Sequence, residues 1–185
     1  MDILAHALWS SLPYKLASLK KKAKNFNFWL TALWGIFPDL LAFTIPFSLM
    51  IINLILGKIS SFTSPEKMEP LTNHANGIFN MTGALYNIGH SLVIFFIVFF
   101  LIWLIFKKPK WILGAWFIHI ILDIPSHSYQ FYPTPFLWPI SNWKLNGIVW
   151  SNKWFMLVNY SLLLILYSWI LIRERKSKKR ISKYK

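Results

Sequence analysis

The sequence predicts an all-α integral membrane protein, built as a bundle of about five transmembrane helices. Of its 185 residues, 56% are hydrophobic, 18% are aromatic and only 14% are charged, whereas charged residues make up about 25% of an average soluble domain. A soluble chain of this length has too little interior to bury 11 Trp and 16 Phe. The 20 Lys and Arg residues lie in short runs between apolar segments. Nucleic-acid-binding proteins instead spread such charge over a polar surface, so no nucleic-acid partner is expected.

Four apolar stretches predict the clearest helices. Residues 83–106 and 154–172 carry no charge, and each is long enough to span, because about 20 apolar residues cross the hydrocarbon core. Residues 26–57 carry one charge, Asp39, and are long enough to span with a kink at a proline. Residues 111–124 are shorter and span only if their ends tilt or snorkel.

The N-terminal segment predicts a fifth, short helix. Residues 2–18 are moderately apolar and are interrupted by Pro13 and Lys15. Their basic residues follow the apolar part, whereas in a signal peptide they precede it. We therefore expect a retained helix, and the bundle has four transmembrane helices if this segment does not span.

The basic clusters predict an orientation. Sixteen of the 20 Lys and Arg residues lie within residues 15–24, 107–110 and 173–185. If successive helices cross the membrane in opposite directions, all three clusters lie on the same side of the membrane. The positive-inside rule identifies that side as the cytoplasm. We expect a multi-pass protein of the cell (inner) membrane, with one transmembrane domain at residues 1–172 and a basic cytoplasmic tail at residues 173–185 that contacts membrane lipids.

The predicted outer loop, residues 125–153, is rich in aromatic residues and proline. Proline disfavours regular helix and sheet, while Trp and Tyr favour the membrane interface. Two interpretations stay open at this point: an aromatic belt at the interface, or a lid over a functional site.

Several polar residues lie within apolar sequence, where ionisable groups are costly and are functional candidates. The sequence contains no cysteine, so thiolate sites are excluded. The candidates are His6, Asp39, His90, His119 and Asp123. At about 1.5 Å per helical residue, most of these side chains lie about 20–25 Å along the helix from the nearest basic cluster, and one lies at about 13 Å.

Imidazole and carboxylate groups that converge at one depth predict a divalent metal site. His119 and Asp123 are four residues apart and therefore share a helical face, and Asp2 is placed to orient His6. This donor set suits zinc, with manganese or iron as alternatives. The competing interpretation is a set of His–Asp hydrogen bonds that only hold the helices together.

Four short blocks in residues 1–140 resemble the YdjM-like family of inner-membrane proteins, which are described as metal-dependent hydrolases. The blocks are MDILAHAL at the N-terminus, FPD at Asp39, GHSL at His90, and HIILD followed by LWP from His119 onward. They are similar to the family's MDxxTHAL, LPD, THSL, and HxxxD followed by LWP. The resemblance implies a metal site formed by the same five candidates.

The chain also departs from the family pattern. Leu41 and Ala42 stand where the family often has a second Asp and a His. Because these departures remove groups that would hold a second ion, the number of ions, one or two, stays open.

Together these observations predict a membrane-embedded metal-dependent hydrolase. A metal-activated water would attack a lipid-borne ester or phosphoester, and Asp39 or Asp123, if not a ligand, would act as the general base. The alternative is a non-enzymatic membrane protein or transporter that binds metal ions or protons through the same cluster.

Overall fold

The computed structural model describes residues 1–19, 27–58, 77–130 and 132–183, and within these ranges the chain forms α-helices and no β-strand. The all-α class is therefore confirmed. His74 and the basic residues at positions 20–24 lie outside the described ranges. The helices are α1 (Ile3–Leu19), α2 (Phe28–Ile55), α3 (Gly77–Gly89), α4 (Leu92–Phe106), α5 (Gly114–Ser126) and α6 (Lys153–Lys183).

Two helices are long and apolar enough to cross a membrane: α2, and α6 over Lys153–Lys176. The α3–α4 pair adds a third if it counts as one broken span. The apolar helical segment Trp111–Ser126, in which a 3-10 turn precedes α5, is shorter. Two or three helices in the described chain could therefore span a membrane, and the five-span bundle stays a prediction.

The expected continuous helix over residues 83–106 is wrong. The chain breaks between α3 and α4, and the segments Met81–Gly89 and Leu92–Phe106 are bent by 63°. The cause is a set of partners outside the helix. The Leu92 N–H donates to Phe136 O at 3.0 Å, and the Ser91 hydroxyl donates to Trp138 O while accepting from Ile94 N at the start of α4. His90 therefore lies at a helix break and not within a helix.

Helices α1 and α6 run parallel and are joined by polar contacts along their length. Near their N-terminal ends, the Tyr160 hydroxyl donates to Asp2 Oδ1 at 2.7 Å. Towards their C-terminal ends, the Lys15 ammonium pairs with the Glu174 carboxylate at 2.7 Å. The two helices therefore begin at one end of the bundle and reach the other end together.

The described parts of the three basic clusters lie at the same end of the bundle. Lys15 pairs with Glu174 in the last part of α6. Its neighbour Tyr14 donates a hydrogen bond to Trp111 O, directly after the 107–110 cluster. The helix α6 continues through Lys183, so no helix end marks the predicted domain boundary at residue 172.

The described residues of the segment 127–152 form no helix, and the segment is attached to the opposite end of α5. The N–H groups of Gly147 and Ile148 donate to His127 O and Pro125 O at 2.8 and 2.9 Å. Its outer side chains include Tyr129 and Trp143, which are 60% and 58% exposed. The segment therefore combines an inner side fixed to the helix ends with an exposed aromatic side.

A close approach of α1 and α2 depends on Gly35. A Cβ atom at this position would lie 2.5 Å from Ser10 Cβ, and real Cβ atoms do not approach so closely. Glycine thus allows the backbone of α2 to reach the interior, where Gly35 O accepts a hydrogen bond from His119.

We expect Gly35→Ala to lower the free energy of unfolding by about 1–3 kcal/mol, because the added methyl forces the two helices apart. Denaturant unfolding in detergent measures this loss. Adding Ser10→Gly should restore part of it, whereas Gly83→Ala should cost nothing, since a Cβ there meets no atom within 4 Å. Equal losses in the single and double variants would contradict the contact.

Candidate metal centre

Four buried side chains from separate parts of the fold form a compact group. Asp39 comes from α2, His90 from the α3–α4 break, and His119 and Asp123 from α5. Each offers one ligand atom, and these four atoms lie within 4.8 Å of one another. His90, His119 and Asp123 are fully buried, whereas Asp39 is 8% exposed. The group could therefore hold a divalent metal ion, with Asp39 on the more open side.

The distances within this group match the spacing of metal ligands. His90 Nε2 and His119 Nε2 are 3.1 Å apart, and Asp123 Oδ2 lies 3.4 and 3.1 Å from these two atoms. Asp39 Oδ1 lies 3.5 and 3.8 Å from them. Ligand atoms about 2.0–2.1 Å from a tetrahedral zinc ion lie about 3.3 Å from one another, so these five distances are close to the spacing that one ion requires.

Backbone carbonyls orient both imidazoles. His90 Nδ1 lies 3.1 Å from Tyr86 O, and His119 Nδ1 lies 2.7 Å from Gly35 O. Because a carbonyl oxygen only accepts, each Nδ1 carries a proton, and Nε2 is the ring atom that each imidazole directs into the interior of the group. Metal-binding histidines are commonly held in this way.

The electrostatics of the group call for a cation. The Nε2 atoms of His90 and His119 face each other beside two carboxylates, and Asp123 Oδ2, fully buried, has no hydrogen-bond partner. A buried carboxylate oxygen without a partner is costly, and a bound metal ion removes that cost. The competing interpretation, His–Asp hydrogen bonds that only join helices, does not account for the unpartnered oxygen.

Local packing brings His90 to α2 and α5. A Cβ atom at Gly89 would lie 3.3 Å from Pro38 Cα, so glycine lets the end of α3 approach the residue before Asp39. The Trp116 indole donates to Gly89 O at 2.6 Å, which fixes the same turn against α5. The helix break therefore places His90 between the two elements that carry the other three groups.

His6 lies beside the four-residue group. Its ring stacks on His119 at a centroid distance of 3.7 Å, and its Nε2 lies 2.9 Å from Asp123 Oδ1. The expectation that Asp2 orients His6 is wrong. Asp2 Oδ1 instead accepts from Ala5 N and the Tyr160 hydroxyl, because it caps α1 and joins it to α6. The structure thus brings all five predicted residues together. His90 and His119 lie near Asp123 Oδ2, whereas His6 lies near Asp123 Oδ1.

Three groups outside the five candidates lie near the site. His127 Nε2 and the Met1 amino nitrogen lie 3.2 and 2.5 Å from Asp123 Oδ1, and Tyr86 stacks on His90 at 3.9 Å. The four-residue spacing from Asp123 to His127 indicates that the two side chains lie on one helical face. They do so in the structure because α5 continues through Pro125, and the His127 N–H still donates to Asp123 O at 3.1 Å. The roles of Tyr86 and the amino group have no signal in the sequence.

No family model matches this chain, and no curated protein or solved structure does so either. The fold and site define it as an all-helical protein with apolar helices long enough for a membrane and a buried Asp–His–His–Asp group.

We expect a transition-metal ion, zinc foremost, to copurify with the protein. The double variant His119→Ala/Asp123→Ala should lose it, because two adjacent ligands are removed from one helix face. Elemental analysis by mass spectrometry measures the content. Glu174→Gln, which changes a carboxylate at the basic end, and His74→Ala should keep the wild-type content. Equal content in the wild type and the double variant would refute the site.

Proposed function

We propose that this protein is a membrane-embedded, metal-dependent hydrolase. The observation that carries the proposal is the buried group of two imidazole and two carboxylate ligand atoms within 4.8 Å, of which only Asp39 has an exposed part. A catalytic metal site keeps one position for water, whereas a structural site is saturated by protein ligands. Three buried ligands and one partly exposed carboxylate fit the catalytic arrangement.

In this proposal His90, His119 and Asp123 hold the ion, and Asp39 is the general base. Asp39 Oδ1 is the farthest of the four atoms from the two imidazoles, at 3.5 and 3.8 Å, and it lies on the open side. A divalent ion lowers the pKa of a bound water and so supplies a nucleophile at neutral pH. Zinc suits a set of nitrogen and oxygen donors with few ligands, and manganese or iron are alternatives.

The substrate we propose is a lipid-borne ester or phosphoester. The site lies between apolar helices whose outward side chains are exposed, such as Ile105 and Leu164 at 72% and 70%, and lipid is the natural neighbour of such surfaces. The described residues of the three basic clusters lie at the opposite end of the bundle. We propose five spans, with the basic end in the cytoplasm and the metal centre in the outer half of the membrane.

The resemblance of four ordered sequence blocks to the YdjM-like inner-membrane hydrolases supports the same activity. Three of these blocks supply the members of the buried group: FPD with Asp39, GHSL with His90, and HIILD with His119 and Asp123. The resemblance does not fix a substrate.

The second candidate is a protein that binds metal ions without catalysis. Asp39 also lies within ligand distance of the group, so four protein ligands could saturate one tetrahedral ion. The absorption spectrum of the cobalt-substituted protein separates the two candidates. A spectrum that changes on addition of a small anion shows an open position, and an unchanged spectrum favours the non-catalytic protein.

We expect Asp39→Asn to lower hydrolysis by at least about 100-fold, because general-base catalysis contributes that much or more, while the ion is retained. Release of nitrophenol from p-nitrophenyl butyrate and bis(p-nitrophenyl) phosphate by zinc-loaded protein in detergent measures the activity. Glu174→Gln is the matched carboxylate control. No turnover of either compound, or full activity in Asp39→Asn, would contradict this mechanism.

Reporter fusions test the orientation. We expect fusions after residue 110 and after residue 183 to report the cytoplasm, and a fusion within residues 139–145 to report the outside, because the basic clusters favour the cytoplasmic face. A cytoplasmic signal from the 139–145 fusion would overturn the proposed orientation and leave the metal site untouched.

A further inference from the structure

The two oxygens of Asp123 face different groups. Oδ2 faces His90 and His119, at 3.4 and 3.1 Å. Oδ1 faces two other imidazoles, with His6 Nε2 at 2.9 Å and His127 Nε2 at 3.2 Å. The carboxylate therefore stands between two pairs of histidines, only one of which belongs to the site described above.

His127 is oriented in the same way as His90 and His119. Its Nδ1 lies 2.8 Å from Tyr132 O, and since a carbonyl oxygen only accepts, Nδ1 carries the proton. The ring then directs Nε2 towards Asp123 Oδ1, at 3.2 Å. Three imidazoles around one carboxylate thus share an arrangement that suits metal binding.

His6 gives an independent indication of a ligand. Its side chain is fully buried, and neither Nδ1 nor Nε2 has a hydrogen-bond partner. Although Nε2 is 2.9 Å from Asp123 Oδ1, the two atoms are not aligned as a hydrogen bond. A buried imidazole without a hydrogen bond is costly, and coordination of a cation by Nε2 would remove part of that cost.

We propose that Asp123 bridges two metal ions, with the second held by Asp123 Oδ1, His6 Nε2 and His127 Nε2. The proposal rests on the first ion, because the two sites share Asp123. Leu41 and Ala42 remove two expected ligands from the neighbourhood of Asp39. The second site does not need them, since its imidazoles come from α1 and from the residue that follows α5.

The Met1 amino group lies in the same pocket. Its nitrogen is 2.5 Å from Asp123 Oδ1 and 3.1 Å from His127 Nε2. This nitrogen and a second metal ion compete for Asp123 Oδ1, and the metal stoichiometry shows which of the two occupies the pocket.

Two ions bridged by a carboxylate favour phosphoesters over carboxylic esters. Paired ions stabilise both the attacking and the leaving oxygen of an in-line displacement at phosphorus, and an anionic substrate offsets the positive charge of two divalent ions beside two carboxylates. We therefore place a phosphoester, carried by a lipid, as the substrate of this centre.

The test is the zinc content of the full-length protein in detergent, after dialysis against a zinc buffer and removal of weakly bound metal. We expect two ions per chain in the wild type and in His74→Ala, and one ion in His127→Ala and His127→Gln. Manganese loading gives a second readout. Two bridged Mn²⁺ ions show an exchange-coupled electron paramagnetic resonance spectrum, whereas His127→Gln should show that of an isolated ion.

One ion in both the wild type and His127→Gln, without exchange coupling, would overturn the second site and leave the first intact. Two ions retained in His127→Gln would overturn the assignment of His127. No ion in any of these proteins would overturn both sites. A preference for p-nitrophenyl butyrate over bis(p-nitrophenyl) phosphate by the two-ion protein would overturn the substrate class alone.

Discussion

The buried carboxylate of Asp123 is the constraint on which the rest of the structure depends. It is fully buried, and a lone negative charge in such a place costs several kcal/mol or more. Side chains and the terminal amino group therefore converge on it from several elements: the beginning of α1, the α3–α4 break, α5 and the residue that follows α5. Several helix ends thus meet at one buried carboxylate.

The helix break ties the 127–152 segment to the same site. Carbonyl groups of this segment accept from Ser91 and Leu92 at the break, and Tyr132 O accepts from both His127 and the Tyr86 hydroxyl. The segment thus helps to direct α4 and to fix an imidazole tautomer, while aromatic side chains on its other side stay exposed. The two interpretations of the loop, an aromatic belt and a lid over the site, both stay predictions.

The bundle separates its charges along its length. Lys15, Glu174 and the residues next to Trp111 meet at one end, whereas Asp2 and Asp123 lie near the beginning of α1 and the end of α5. Because α1 runs parallel to α6, it extends from the region of the site to the basic end beside a helix long enough to span a membrane. Whether α1 itself spans stays a prediction.

The sequence by itself determined the all-α class and the five polar residues that converge, because composition, apolar length and the spacing of His119 and Asp123 on one helix face are local properties. Only the tertiary structure decided where residues 83–106 break, since the groups that end the helix, Phe136 O and Trp138 O, lie more than 40 positions along the chain. It also decided that Asp2 caps α1 and does not contact the His6 ring. The division of Asp123 between two pairs of imidazoles is likewise non-local, because His6 and His90 come from elements of the fold other than α5, and sequence spacing carries no record of such contacts.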